Sequence, residues 1–106
     1  MPLPELSDDA RRQALEKAAE ARKIRAELKQ QLKAGEIDFS EVLRRADQDE
    51  IVGKTKVSAV LEALPKVGKV RARKIMERLD ISATRRVRGL GAKQRDALLT
   101  EFGARR

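Results

Sequence analysis

In 106 residues the chain carries 25 lysines and arginines against 17 acidic residues, a formal charge of +8, and it has no Cys, His, Trp or Tyr. The missing side chains remove the usual zinc, haem and iron–sulfur ligand sets, thiol chemistry, disulfides and any triad with a histidine base. Phe39 and Phe102 are too few aromatics for a base-stacking platform, and a basic chain of single-domain length points to a polyanionic partner.

Met1-Pro2-Leu3-Pro4-Glu5 has neither the basic start nor the apolar run of a signal peptide. No stretch approaches the roughly 18 apolar residues of a membrane span. A soluble cytoplasmic protein without a membrane partner is expected, and the absence of cysteine fits a reducing compartment. Ser7 to about Lys33 reads as one long helix, with Ser7 as cap, Asp8 and Asp9 at its positive end and Gly35 just past its end. Ala14, Ala18, Ala21, Ile24, Leu28 and Leu32 form its apolar stripe, thin at first and bulkier later. The last two turns should dock and the first turns project.

Asp38-Phe39-Ser40-Glu41 has capping-box spacing, and Phe39, Val42, Leu43 and Ala46 give the second helix an apolar face. Asp49 to Gly53 suggests a short helical turn. Thr55 is the expected cap of a helix from Lys56 to Ala63, with Val57, Val60, Leu61 and Leu64 inward and Pro65 as its stop. Lys69 to Asp80 makes the next helix, with Val70, Ile75, Met76 and Leu79 as expected core. Gly91-Ala92 leads into a last helix ending near Phe102-Gly103, with Ala97, Leu98 and Leu99 expected to be buried. No period-2 run of β-branched residues interrupts the series, so the fold class is all-α.

Charge is distributed unevenly along these elements. Residues 1–64 hold 12 basic and 13 acidic side chains, whereas residues 65–106 hold 13 basic and 4 acidic, so the positive excess lies entirely in the last 42 residues. Two places concentrate it. In Pro65-Lys66-Val67-Gly68-Lys69, proline ends one helix and glycine permits close backbone approach or a positive φ. The following helix then begins with open amides and a favourable dipole, an anion-binding arrangement reinforced by Lys66, Lys69 and Arg71. Taken alone, PKVGK also reads as ordinary punctuation with a solvated lysine face. The second cluster tips the balance. Arg85, Arg86, Arg88 and Lys93 fall within nine residues, flanked by Ser82, Thr84 and Gly89, and no acidic residue follows until Asp96. Like charges crowded in this way are unfavourable without a partner of opposite sign.

The segment VGKVRARKIMERLDISATRRVRGLGAKQRDALLTEF resembles the helix-two-turns-helix element of formamidopyrimidine-type DNA glycosylases and of a ribosomal protein of the small-subunit head. Glycosylase chemistry is set aside: Pro2 is present, but the β-rich domain that would carry a proline nucleophile is not. At the first turn Lys66 stands where helix-hairpin-helix turns usually have glycine. Over nearly its whole length the chain is similar to the actinobacterial integration host factors. The likeness runs through ALEKAAEAR, the block DEIVGKTKVSAVLEALPKVGKVRARKIM, and TRRVRGLG.

That resemblance implies an N-terminal arm over residues 1–34 and a helical DNA-binding domain over 35–106. Within the domain, a turn at 64–71 would grip one phosphate backbone, and a lid at 82–94 would close on DNA through Arg85, Arg86 and Arg88. It further implies a nucleoid-associated protein that binds duplex DNA through phosphates and minor groove with little sequence preference, bends it, alters supercoiling and assists phage integration and transcription. No enzyme activity, bound metal or other cofactor is expected, beyond a monovalent cation on the carbonyls of the 65–68 turn. A monomer in solution is expected, because no a/d heptad persists along the arm. The runner-up reading is a ribosomal small-subunit-type RNA-binding protein that uses the same element. A protein–protein adaptor working through the N-terminal helix ranks below both.

Overall fold

A computed structural model describes residues 7–102. The outer ends of the two expected segments, with Gly103 and the Arg105-Arg106 pair, lie outside the described residues. Helix α1 covers Asp8–Lys33, and the Ser7 hydroxyl accepts the Ala10 N–H at 3.0 Å as its cap. Its other end closes as a Schellman motif. Gly35 takes φ +74°, its N–H reaches the Leu32 carbonyl, and the Glu36 N–H reaches that of Gln31. Only Leu28 and Leu32 are buried on this helix, Ile24 is half-buried, and residues 11–20 are exposed throughout. The arm projects at its alanine-rich end, where side chains offer too little surface to hold it down.

Helix α2 (Phe39–Gln48) starts at Asp38, whose carboxylate accepts the Glu41 N–H at 3.0 Å. Only this half of the expected capping box forms. The Glu41 carboxylate turns instead to Arg44 and Arg45, accepting hydrogen bonds of 2.6 to 2.9 Å from the two guanidinium groups. These bonds, Arg44 first and Arg45 second, lower the Glu41 pKa to about 2. A carboxylate whose folded-state pKa is depressed adds stability above its unfolded pKa, near 4.5, and loses it as pH falls through the folded value. Between about pH 4.5 and 2, Glu41→Gln should therefore show a shallower loss of stability than the wild-type protein in denaturation series.

Helix α3 (Glu50–Gly53) is a single turn capped by Asp49, and α4 (Val57–Ala63) follows. Thr55 does not cap α4 as expected. It is buried, and its hydroxyl donates to the Ile51 carbonyl at 2.9 Å. The amide it would have satisfied is met from far along the chain, because the Val57 N–H donates to the Arg85 carbonyl at 2.9 Å. Helix α5 covers Gly68–Arg78, slightly earlier than expected, and α6 covers Ala92–Phe102. Between them a 3-10 turn spans Val87–Gly89.

On α5 the inward stripe is Ala72, Ile75 and Met76, with Leu79 half-buried. Val70, expected in the core, is 59% exposed. Two residues before Ala72 is about 200° around a helix, so Val70 faces away from the stripe. On α6 only Leu98 is fully buried, and Ala97 and Leu99 are half-buried, since one narrow face of this helix meets the core. Helices α4 and α5 pack against each other, while α2 lies at the centre against α3, α6 and the 3-10 turn. Among the described residues there is no strand, only an isolated antiparallel bridge between Lys56 and Arg86. Phe39, Leu32, Leu61, Leu98, Val42, Val57 and Val60 are the largest fully buried side chains and belong to one core. None of the described helices is long and apolar enough to cross a membrane.

Candidate nucleic-acid interface

The first basic turn connects α4 to α5. Leu64, preceding proline, is extended at φ −66° and ψ 143°, so α4 stops at Ala63. Lys66 then takes φ +67° and Gly68 φ +71°, two left-handed residues within three positions. A Cβ on Gly68 would meet nothing within 4 Å, so backbone conformation and not close approach requires glycine there. Lys66 thus holds a backbone conformation that favours glycine. Left-handed backbone costs an L-residue about 1–2 kcal/mol, so Lys66→Gly should raise folding stability by up to about 1 kcal/mol, whereas Gly68→Ala should lower it by a similar amount. Paired chemical denaturation curves check both signs.

Val67 anchors the turn, buried with its N–H on the Leu64 carbonyl at 3.2 Å. No side chain caps α5, and among the described residues the amides of Gly68, Lys69 and Val70 meet no acceptor. Pro65, Lys66, Lys69 and Arg71 are exposed around them. The result is an N-terminal ring of free donors bordered by three cations, which suits a phosphate oxygen.

The second turn is held in place at several points. Ile81, Val87 and Leu90 are buried, the Val87 N–H donates to the Thr55 carbonyl at 2.9 Å, and the Val57 N–H to that of Arg85. Ser82 and Thr84 form a local turn in which the Thr84 N–H donates to the Ser82 hydroxyl at 3.2 Å. Arg85 spends one N–H on the Gly89 carbonyl at 2.6 Å, and Arg86 spends one on the Lys54 carbonyl. Each guanidinium has five donors, so most remain for a ligand. Arg88 lies over Gly53: a Cβ there would sit 3.0 Å from its Nε and 3.2 Å from the Ala46 carbonyl. Gly89 likewise accommodates the Arg85 side chain, with Cδ 3.3 Å from where a Cβ would stand.

Gly53, Lys54, Ser82, Thr84, Arg85, Arg86, Arg88 and Gly89 line one open cleft of about 540 Å³. Gly53 and Lys54 join the site although nothing local in the sequence marks them. Lys54 also bonds Glu50 at 2.8 Å, which holds that carboxyl below its ordinary range with a further contribution from Arg88. Lys93 is exposed at the start of α6, beyond the cleft lining. Gln94, the nearest side chain suited to reading a base, is occupied: it accepts the Gly91 N–H and donates to the Asp80 carbonyl, each at 3.0 Å.

The two turns sit at opposite ends of α4, since the second pairs with Lys56–Val57 and the first follows Leu64. Eight helical rises separate these points by about 12 Å. Among the described residues, no carboxylate forms an ion pair with Lys66, Lys69, Arg71, Arg85, Arg86, Arg88 or Lys93. The ion pairs that do form lie on the arm, on α2 and α3, and between Arg78 and Glu101.

Residues 32–102 match the S13-like H2TH domain. The chain is 60% identical over 104 residues to the integration host factor of Mycobacterium tuberculosis, covering 98% of this chain and 99% of that protein. It is 54% identical to that of Streptomyces coelicolor, covering 98% and 97% of the two chains. A solved structure of sIHF bound to an 8-base-pair palindromic DNA is similar with a TM-score of 0.80 and 56% identity, covering 83% of this chain and 99% of that chain. With a shared S13-like H2TH core and near full-length identity to these proteins, the chain belongs to the integration host factor family found in mycobacteria and Streptomyces.

Proposed function

We propose that the protein is a nucleoid-associated architectural factor that binds duplex DNA with little sequence preference, bends it, and thereby influences supercoiling, phage integration and transcription in the cytoplasm. The observation that carries this reading is a pair of basic turns about 12 Å apart, free of ion pairs among the described residues and joined by one short helix. The amides of Gly68, Lys69 and Val70, with Lys66, Lys69 and Arg71, hold one phosphate backbone. Ser82, Thr84, Arg85, Arg86, Arg88, Gly89 and Lys93 meet the neighbouring strand, the arginines entering the minor groove. Family membership and a DNA-bound structural neighbour support the choice of partner.

Engagement of two separated backbone points favours a duplex that bends toward the protein, because bending brings more phosphates within reach. The engaged Gln94 supports weak base readout. Electrophoretic mobility on unrelated duplexes of equal length tests the reading, with affinities expected to agree within a few-fold. Differences of several kcal/mol between sequences would sink it. Salt is the second test, since each neutralised phosphate contributes about −0.9 to the slope of log affinity against log salt.

The protein acts as a monomer in this reading and needs no organic cofactor. The carbonyls of Pro65 and Lys66 accept no hydrogen bond among the described residues and suit a monovalent cation. Replacing potassium by a bulky organic cation at equal ionic strength should then weaken binding. The S13-like core favours one alternative, a protein bound to small-subunit ribosomal RNA. Co-sedimentation separates the two, because a stoichiometric ribosomal component cannot be mostly free or nucleoid-bound.

A further inference from the structure

Helix α5 carries an apolar side chain that burial does not explain. Val70 is 59% exposed, whereas Ala72, Ile75 and Met76 of the same helix are buried. A single exposed valine is ordinary on a protein surface. The surroundings of this one are not. Within α5 helical neighbours lie three and four positions away at about 5–6 Å, which for Val70 means Arg73 and Lys74. Both are exposed, and neither pairs with a carboxylate among the described residues. The Val70 amide is also one of the open donors in the first turn of α5. The patch is therefore a small hydrocarbon surface set among cations.

A nucleic-acid backbone has the complementary alternation, with charged phosphates separated by a sugar. When phosphates meet the flanking cations and open amides, the intervening sugar faces the valine. Deoxyribose offers a methylene at its 2′ position, and ribose offers a hydroxyl that both donates and accepts hydrogen bonds. Against the isopropyl group that hydroxyl would lose water and gain no partner, a penalty equivalent to about a tenfold loss of affinity. The cations meet phosphates on either polymer and do not touch the sugar, so they do not read the 2′ position.

We propose that Val70 is the residue by which the first turn favours a deoxyribose backbone over a ribose one. The inference rests on the duplex-binding reading above and names the sugar chemistry that site accepts. The test uses the full-length protein with a DNA duplex and an RNA duplex of the same sequence at one salt concentration. Val70→Thr keeps size and β-branching while adding a hydroxyl that can serve the ribose 2′-OH. Val70→Ala removes the hydrocarbon contact without adding a donor. Circular dichroism confirms folding, which a half-exposed position should not disturb.

In Val70→Thr the ratio of DNA to RNA affinity should fall about fivefold to tenfold, with the salt slope unchanged because no charge is altered. In Val70→Ala the DNA affinity should fall about threefold while RNA affinity stays level. The difference in shape between the two duplexes is common to all three proteins and cancels in these comparisons. Ratios equal to wild type in both variants would overturn the proposal. Failure of the wild-type protein to bind duplex DNA would instead overturn the functional reading beneath it.

Discussion

Replacing Arg85, Arg86 and Arg88 together by alanine is expected to weaken binding to every duplex by about a hundredfold or more at low salt. Three charge-assisted hydrogen bonds to the DNA, at about 1.5–3 kcal/mol each, more than account for that loss. The slope of log affinity against log salt should fall in magnitude by close to 3, about one for each cation removed. Fluorescence anisotropy over a salt series measures both quantities. Folding should survive, because Val87 and Leu90 stay buried and the backbone pairing of Thr55 with Val87 and of Val57 with Arg85 needs no side chain. Arg86 requires one control, since its guanidinium also holds the Lys54 carbonyl. Arg86→Lys keeps the charge and loses the fork, so it should retain most of the salt slope with a smaller loss of affinity. Affinity unchanged in the triple variant would move the interface away from the second turn.

Phe39→Ala is expected to have the largest effect on stability, about 3–5 kcal/mol. Phe39 is fully buried at the start of α2, the helix against which α3, α6 and the 3-10 turn all rest. A domain of this size has only about 5–15 kcal/mol in total, so the variant should be partly unfolded near physiological temperature. Urea denaturation followed by far-ultraviolet circular dichroism gives the value directly. Phe39 does not line the cleft at the second turn, so DNA binding at low temperature should recover toward wild type once the fold is saved by osmolyte. A cost below 1 kcal/mol would mean that this side chain is not the centre of the core.

Much of this organisation is legible in the chain. Ser7, Gly35, Asp38 and Pro65 each set a helix end as expected, because a cap or a stop depends on residues within one turn. The two basic clusters are equally plain, since their charge stands out against a balanced N-terminal half. Three readings failed, two because of contacts that lie outside any local window and one because of a competing pair on the same helix. Thr55 does not cap α4 because the Arg85 carbonyl, thirty positions away, reaches the Val57 amide first. Val70 faces outward because Ala72, not an apolar run, sets the contact face of α5 against α4. The expected box at Asp38 and Glu41 is half-made because two arginines on the next turn offer charge-assisted partners.

Residue types and their spacing therefore determined on their own that this protein is helical, holds no thiol or imidazole chemistry, and gathers its positive charge at two turns. Tertiary structure alone decided that those turns stand at the two ends of α4, that Gly53 and Lys54 complete the second cleft, and that Gln94 is engaged internally. The division has a physical cause. Caps, stops and charge runs act across a few residues, whereas a cleft is formed by segments distant in the chain that meet only when Val57, Val87 and Phe39 are buried in the same core.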